Sequence, residues 1–481
     1  MVSGGFGVVS GGFGVVSGGF GMVSGGFGVI ALRSGAGDEP PTWVGPRMRQ
    51  EDAFVSSRMK SAVLGRFPAT RAVVALAVTL SLLGSMQPAA GGWKVTEEIR
   101  DGLKWVHNPA TPKEGSEEIR LRERWRLGGD DEEDELFGVV SSVFKDDQGN
   151  ICLLDSQLSE IRIYNPDGEL LRSMGGPGEG PGEFQGAGGA CLLPGGGFAA
   201  VQTWPGKLVM FKPDGDPAST LVPRITGENS TMGFLVIFGA AAVGENLGIA
   251  CMNQTFTQGT LRRNHVLGVF DLEGNQLARL FDIQEEADMS HGIPIDEKSS
   301  GRFQRRWVVA PDSTIYAVAE FYGYEIHVFD SRGQAQLVIE REYERLRRTP
   351  EEKQFVEEII AGGTRMVPNA QITVEDSHQD ITALQMGPDG MLWVRSSMGI
   401  WRVPDGVLGV YDIFSPDGYY IRQVTLRAEG NPREDAVYML GDRVVVVRSF
   451  MSSLMGALGG SEYEEEEDLE EEGVTIICYD M

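Results

Sequence analysis

Residues 139–175 read VVSSVFKDDQGNICLLDSQLSEIRIYNPDGELLRSMG, and their apolar runs separated by polar turns predict four short strands. The strands are VVSSVF, NICLLD, IRIY and ELLRSM. Asp167–Gly168 lies between the third and fourth strands, and Asp-Gly is typical of a tight hairpin because glycine readily adopts a positive φ. The stretch therefore predicts a small antiparallel sheet.

The hairpin of the third and fourth strands recurs four times along the chain. Its later turns contain Gly215, Gly274, Gly333 and Gly418. A second-strand pattern precedes each later hairpin and appears once more near the end, at 198–203, 246–252, 313–320, 391–397 and 443–450. The chain therefore contains five complete units and a sixth that stops after its third strand, a repetition typical of propellers and solenoids.

The sixth unit ends the chain at VTIICYDM without a fourth strand. The segment EEIRLRERWRLGG, at 117–129, resembles ELLRSMGG and can supply the missing strand. A ring closed in this way hides the strand edges that an open solenoid would expose. The sequence therefore predicts an all-β, six-bladed β-propeller over 117–481, closed by an N-terminal strand that completes the C-terminal blade.

Motifs in the first unit resemble an NHL repeat. They are Asp155 five residues ahead of Glu160–Ile161–Arg162, and the hairpin IYNPDG. The linker MGGPGEGPGEFQG, at 174–186, is similar to the glycine-proline linker of bacterial six-bladed NHL-type propellers. The resemblance covers 117–481 and is most specific in the first unit. It implies a propeller scaffold that usually serves binding, with a minority of hydrolases and lyases.

Residues 1–90 do not follow the repeat. Copies of (M/V)VSGGFG open the chain, and their glycines oppose helix, so we expect 1–58 to be a disordered, Gly-rich leader. A basic stretch, the apolar run 72–83 and small residues up to Ala90 predict an export signal peptide at 59–90. Translation from Met59 would place the leader outside the natural product. Residues 91–116 are predicted to be a linker.

Two insertions interrupt the repeat. Thr349, Pro350 and Glu352 predict the start of one short helix, ended by Gly362–Gly363, which covers the central channel or packs on the rim. The second insertion contains the acidic run 464–472. We expect this run, like the acidic stretch 130–135, to be a solvated loop, with Ca²⁺ binding as the alternative. No other cofactor is expected.

Composition limits the partners of the chain. Its 481 residues include 42 Lys and Arg against 69 Asp and Glu, a formal net charge of −27. Nucleic acid is excluded as a partner because its recognition needs clustered basic residues. The predicted signal places the protein in the periplasm or outside the cell, without stable membrane insertion, and we expect a monomer.

Residues with reactive or metal-binding side chains are few. Four cysteines in apolar strands without CxxC spacing favour buried thiols, with a disulfide between the first two as the alternative: Cys152, Cys191, Cys251 and Cys478. His291 and His378 lie in blade connections, where nearby Asp288, Asp376 or Asp380 could complete a metal site. HxH and HxxxH spacings are absent, which favours histidines on the surface or rim.

Aromatic and arginine residues gather in the connections that share one face of the predicted ring. The candidate binding residues are Trp204, Arg302, Arg305, Phe321, Tyr322, Tyr324, Trp401 and Phe450. Such side chains suit protein or saccharide recognition when they are exposed. The alternative is that they fill gaps between blades.

The starts of the first strands bear on catalysis because they surround the channel. They offer almost no carboxylate, at 139–140, 188–190, 234–236, 306–308, 381–383 and 436–438. We therefore predict an exported, non-catalytic binding or scaffold propeller that recognises a protein, peptide or glycan through its loop-rich face. The alternative is a lactonase-like hydrolase or lyase with a divalent metal in the channel, which would need converging Asp, Glu, Asn or His.

Overall fold

The computed structural model describes residues 93–129, 135–226, 233–257, 259–458 and 473–481. The predicted leader, the predicted export signal and the acidic run 464–472 lie outside the described residues, as does most of the acidic stretch 130–135. In the described part of the chain, no helix combines the length and the apolar character needed to cross a membrane.

The N-terminal segment runs along the outer edges of three blades. It contains β1 (Thr96–Arg100), β2 (Leu103–Asn108), β3 (Ser116–Arg120) and β4 (Arg122–Gly128). The segment 91–116, predicted to be a linker, contains β1 and β2. β1 and β3 are mostly polar and exposed because they lie at the outer edges of sheets that already have four strands, so their sequences carry little apolar signal.

The first three blades are four-stranded antiparallel sheets. Blade one contains β5 (Val140–Lys145), β6 (Ile151–Asp155), β7 (Glu160–Tyr164) and β8 (Leu170–Gly175). Blade two contains β9 (Ala187–Leu192), β10 (Phe198–Gln202), β11 (Lys207–Phe211) and β12 (Pro217–Leu221). Blade three has longer strands: β13 (Phe234–Val243), β14 (Asn246–Thr257), β15 (Thr260–Phe270) and β16 (Gln276–Asp288).

A short strand, β17 (Ile293–Asp296), leads to blade four. Blade four contains β18 (Trp307–Val309), β19 (Ile315–Ala317), β20 (Glu325–Phe329) and β21 (Ala335–Arg341). Next come helix α1 (Pro350–Thr364) and strand β22 (Ala370–Thr373). Blade five contains β23 (Ile381–Met386), β24 (Leu392–Ser396), helix α2 (Met398–Trp401), β25 (Val407–Phe414) and β26 (Tyr420–Arg427).

Blade six closes the ring. It contains β27 (Ala436–Met439), β28 (Arg443–Arg448), helix α3 (Phe450–Ala457) and β29 (Thr475–Asp480). Strand β4 pairs antiparallel with β29, which confirms closure by an N-terminal strand. The predicted strand 117–129 is divided, however, because β3 pairs in parallel with β26 of blade five. The chain changes blade at Leu121, whose backbone N–H still donates to the carbonyl of Arg427.

Local sequence explains the blades well. In the first hairpin, Gly168 has a φ of 88°, and the side-chain oxygen of Asn165 accepts hydrogen bonds from two backbone N–H groups of the turn. The second strands are buried along their whole length in blades one, two and five, because each lies between two strands and between two neighbouring blades. The six-bladed, all-β propeller predicted from the sequence is confirmed.

The described residues contain more helices than the single one predicted. α1 has the predicted capping box of Thr349 and Glu352 but continues through both glycines to Thr364. The described residues contain two further helices, α2 and α3. The sequence did not predict α3, because FMSSLMGA is mostly apolar and has no separate polar face. In the structure its N-cap residue, Ser449, forms no side-chain capping hydrogen bond. All three helices lie on one face of the ring, which we call the cap face; the opposite face is the turn face.

Candidate functional site

A cavity of about 440 Å³ lies on the axis of the ring. It is lined by the first strands of blades one, two, three and four, by the turn that precedes β18, and by Tyr438 of blade six. Lys145, Leu192 and Val309 end their strands and line the cavity, so the cavity reaches the turn face. We call it the channel cavity.

Small residues on two first strands keep this cavity open. β9 has the sequence AGGACL, and β13 contains FGAAAV. A Cβ atom added to Gly189 would meet no other atom within 4 Å, and its φ is not in the left-handed region. Aromatic side chains also line the cavity, among them Phe144, Trp307 and Tyr438. The cavity is therefore a largely apolar space with rigid walls, as ligand sites commonly are.

Hydrogen bonds between blades cross the ring at the inner end of the cavity. Arg305 donates from Nη2 to the carbonyl oxygen of Val437, 2.6 Å away, and its guanidinium lies 5.0 Å from the ring centre of Tyr438. The hydroxyl of Tyr438 donates to the carbonyl oxygen of Ser141 over 3.1 Å. Blades four, six and one are therefore connected around this end of the channel.

The charge of the lining is positive. Lys145 and Arg305 line the cavity, whereas no Asp, Glu or His is among its described lining residues. Lys145 lies at the mouth, 3.7 Å from the exposed carboxylate of Asp442. Both amide atoms of Gln304, another lining residue, are buried without a hydrogen-bond partner in the described structure. The channel cavity therefore has positively charged side chains, Lys145 and Arg305, in an otherwise largely apolar lining.

Segments inserted between blades cover the cap face. β17 pairs in parallel with β22, which joins the connection before blade four to the connection after it. Residues of α1 and α3 share one apolar cluster with Val139 of blade one and Ala436 of blade six. α1, which originates between blades four and five, therefore packs in the same apolar cluster as α3 of blade six. We call β17, α1, β22 and α3 the cap.

An ion-pair network holds the cap. Arg348 pairs with Glu297, donating from Nη1 to Oε2 over 2.7 Å, and both side chains are buried. Glu297 also accepts from the backbone N–H of Glu375 over 3.0 Å. Arg348 donates from Nε to Nδ1 of His378, and Nε2 of His378 lies 3.1 Å from Glu352 Oε2. The network connects Glu297, which follows β17, with Glu352 of α1 and with His378 in the segment before blade five.

The titration of this network follows from its burial. Burial, helped by the charge of Arg348 and opposed by the hydrogen bond to Glu352, lowers the pKa of His378 to about 4. Burial alone would raise the pKa of Glu352, but hydrogen bonds from Arg402, the Thr349 backbone and His378 lower it to about 2. At neutral pH the network therefore has a neutral imidazole beside an ionised carboxylate.

The structure places five of the eight predicted binding residues in the interior. These are Arg302, Phe321, Tyr324, Trp401 and Phe450. Phe450 packs in the cap, and Trp401 lies under it with its ring 4.5 Å from that of His378. Tyr324 donates its hydroxyl to Asp412 between blades four and five. These five side chains are not available as an exposed contact surface, because the cap and the neighbouring blades cover them.

The other three predicted residues are partly exposed. Tyr322 donates to Glu375 at the cap, and Trp204 packs against the core between blades three and four. Arg305 lines the channel cavity. These three residues lie at different places in the ring and do not form the single exposed aromatic patch that was predicted. The channel lining was missed by sequence reasoning, although the small residues of AGGACL and FGAAAV at first-strand positions were a readable signal.

The candidate metal ligands form hydrogen bonds with other residues and do not converge. His378 is held by Arg348 and Glu352, Asp380 accepts from Arg345, and exposed His291 lies beside Ser290. Among the described residues, no three His, Cys, Asp or Glu side chains converge on one point. The four cysteines are buried and free. Burial raises the pKa of Cys191, which lines the channel cavity, to about 12.

Comparison with solved structures returns matches of low identity and low TM-score. Virginiamycin B lyase from Staphylococcus aureus is 10% identical with a TM-score of 0.35, covering 74% of this chain and 98% of its own. A DUF4221 family member from Bacteroides vulgatus is 9% identical with a TM-score of 0.40, covering 75% and 97%. The calcium-binding protein regucalcin from Agrobacterium tumefaciens is 13% identical with a TM-score of 0.36, covering 75% and 94%.

At these values no activity or ligand follows for this chain from the solved structures. No protein-family model matches the sequence, and no curated protein matches it. The channel cavity therefore has to be interpreted from its own residues.

Proposed function

We propose that this protein is an exported, non-catalytic binding propeller of the NHL-repeat type, and that its channel cavity receives part of a protein, peptide or glycan ligand. The observation that carries the proposal is the cavity itself. Its walls are first strands held rigidly in the ring, and its volume of about 440 Å³ is within the usual range of ligand pockets. The ligand enters from the turn face because the cap covers the other end.

The composition of the lining favours binding over the hydrolase or lyase alternative. Metal-assisted hydrolysis needs several carboxylate, amide or imidazole groups that converge on one ion. The described lining contains one such side chain, the amide of Gln304. The lining therefore supports recognition by shape, apolar contact and a few polar groups.

The NHL-type assignment gains support from Asp155. Its buried carboxylate accepts hydrogen bonds from the backbone N–H groups of Gly138, Val139, Gln157 and Leu158. One side chain thus fixes both the start of the first strand and the loop after the second. This gives a physical reason for an Asp at that position of the repeat.

Export rests on the signal predicted at 59–90 and is tested by N-terminal sequencing of secreted material. A first residue close to position 91 is expected. A mature protein that begins at Met1 would contradict export by this signal.

Binding is tested with the full chain on peptide and glycan arrays. Gly189→Leu places a large side chain in the channel cavity, whereas Gly456→Leu makes the same change on α3, where an added Cβ also meets no atom within 4 Å. We expect the array signals of the wild type to persist in Gly456→Leu and to disappear in Gly189→Leu. Signals that survive in both variants would show that the ligand binds elsewhere.

A further inference from the structure

The edges of two first strands face the channel cavity. β9 and β13 are terminal strands of their sheets, and each pairs on one side only, with β10 and β14 respectively. Every residue of 238–242 in β13 lines the cavity, as does every residue of 188–192 in β9. Side chains alternate between the two faces of a strand, so a cavity that contacts five residues in a row lies along the edge of the strand. The cavity therefore follows the backbone of β9 and β13.

Small residues leave this backbone uncovered in β13. Residues 239–242 have the sequence GAAA. The φ of Gly239 is outside the left-handed region, and a Cβ added to it would lie 3.8 Å from Trp307, which is ordinary contact. Neither backbone conformation nor packing therefore requires a glycine there. A glycine inside a strand is typical of a place where a ligand or another backbone approaches closely.

Two residues of this stretch direct their backbone groups away from β14. The two-residue turn 244–245 joins β13 to β14, and Val243 pairs with Asn246 across it. Residues beside such a turn exchange both of their hydrogen bonds, and in an antiparallel ladder every second residue then points outwards. The N–H and C=O groups of Ala240 and Ala242 therefore lie on the free edge. No described residue outside β14 forms a backbone hydrogen bond with either alanine.

Polar side chains of the lining leave little else for a ligand to bond. Ser142 donates to the carbonyl oxygen of Ala190 over 3.3 Å, and Arg305 donates to that of Val437. Lys145 lies at the mouth, and the described lining contains no Asp, Glu or His. A glycan presents hydroxyl groups and depends on such side chains, whereas an extended peptide presents the alternating N–H and C=O groups that match a strand edge. The lining therefore favours a peptide.

The chain itself shows that blades of this ring accept added strands. β2 pairs in parallel with β21 at the outer edge of blade four, and β3 pairs in parallel with β26 at the outer edge of blade five. Both are short extended segments held by backbone pairing. The inner edge of β13 offers the same kind of contact inside the channel cavity.

Resting on the proposed function, we propose that the channel cavity binds an extended peptide segment as an added strand on the free edge of β13, at 239–242. The backbone of the segment exchanges hydrogen bonds with Ala240 and Ala242, and its small or apolar side chains contact Trp307 and Phe144, which line the same cavity. Four residues of a strand span roughly 13 Å, so a segment of about four residues covers this edge.

Two arrays test the class of ligand with the full chain. One array has capped hexapeptides of Gly, Ala, Ser, Val and Leu, and the other has glycans. We expect hexapeptide signals that disappear in Gly189→Leu and persist in Gly456→Leu, and no glycan signal with that dependence. Glycan signals lost in Gly189→Leu would overturn the choice of a peptide and leave the channel as a binding site. Signals on neither array, or signals that survive in Gly189→Leu, would refute the channel cavity itself as the ligand site.

Backbone pairing is tested by N-methylation of the hexapeptide that gives the strongest signal, with affinities measured by isothermal titration calorimetry. Each N-methyl group removes one N–H and keeps the side chain. We expect affinity to fall about tenfold at every second position, where the N–H faces β13, and less than about twofold at the positions between. Losses without this period of two would contradict pairing with a strand edge.

A proline in β13 tests which edge is used. Ala240→Pro removes an N–H on the free edge and no hydrogen bond to β14, a position where edge strands tolerate proline. We expect the affinity for the same hexapeptide to fall about tenfold. Thr96→Pro is the matched control, because Thr96 begins β1, an edge strand on the outer rim, and it should bind as the wild type does. Unchanged affinity in a folded Ala240→Pro would exclude β13 as the pairing edge, and the N-methyl series decides on strand pairing if this variant does not fold.

Discussion

Arg305, in the turn before the first strand of blade four, donates a hydrogen bond to the carbonyl oxygen of Val437 in the first strand of blade six, 2.6 Å away. The two residues belong to blades that are not neighbours in the ring. Their bond therefore fixes the inner end of the channel cavity and makes the stability of the ring depend on a residue that also lines the candidate site.

Replacing Arg305 with Ala should lower the free energy of unfolding by about 2 kcal/mol, the usual loss for a hydrogen bond from a charged donor. Urea denaturation measures the change. Lys145→Ala is the control, because Lys145 lines the same cavity but is exposed at its mouth, and it should cost less than about 0.5 kcal/mol. Equal midpoints for Arg305→Ala and the wild type would show that the cross-ring bond contributes nothing.

Breaking the buried pair of Arg348 and Glu297 should destabilise the cap strongly. Arg348→Met leaves the carboxylate of Glu297 buried without its partner, which typically costs about 3–5 kcal/mol. The double variant with Glu297→Met should recover part of this loss, because no charge then remains buried. Arg120→Met, at an exposed pair with Glu118, serves as the control and should be close to neutral. A single variant as stable as the control would contradict the role of the pair.

Acid should destabilise the fold through His378. Its pKa is about 4 in the folded protein and about 6.5 when unfolded, so the unfolded chain binds the proton first. The stability contribution is complete above pH 6.5 and falls as the pH decreases towards 4, with a loss of about 2 kcal/mol between pH 7.5 and pH 5. Urea midpoints at both pH values measure it. His378→Gln should show a smaller decrease than the wild type, and an identical decrease would exclude His378 as the cause.

Closure of the ring should be sensitive to Gly128, the last residue of β4. Its φ is 73°, and an added Cβ would lie 2.4 Å from the carbonyl oxygen of Val474. Gly102 is a matched control, since its φ is 81° and an added Cβ meets nothing within 4 Å. Gly102→Ala should cost about 1 kcal/mol from backbone strain alone, and Gly128→Ala should cost roughly twice that or more. Equal losses would mean that the closing strand adjusts freely.

Much of the ring could be predicted because its signals are local. The Asp167–Gly168 turn, the apolar second strands and the capping box of Thr349 and Glu352 depend on residues a few positions apart. The missing fourth strand of blade six was also predictable, since a repeat that stops one strand early needs a partner from the other end. The division of 116–128 between two blades was not, because the pattern of a strand does not specify which edge it joins.

The candidate site was less accessible to sequence reasoning. Trp401 and Phe450 were expected on an exposed face, yet both are buried where the cap covers the ring. Their exposure depends on where α1 and α3 pack, and an apolar helix face is compatible with several partners. The channel lining likewise depends on how five first strands converge.

The repeat, the number of blades and the way the ring closes follow from periodic local patterns and are therefore encoded along the chain. The packing of whole blades determines which residues line the channel cavity, which aromatic residues are covered, and that Arg305 of blade four meets the carbonyl oxygen of Val437 in blade six. Those relationships join residues from different blades. They arise from the packing of whole sheets, and no short stretch of sequence encodes them.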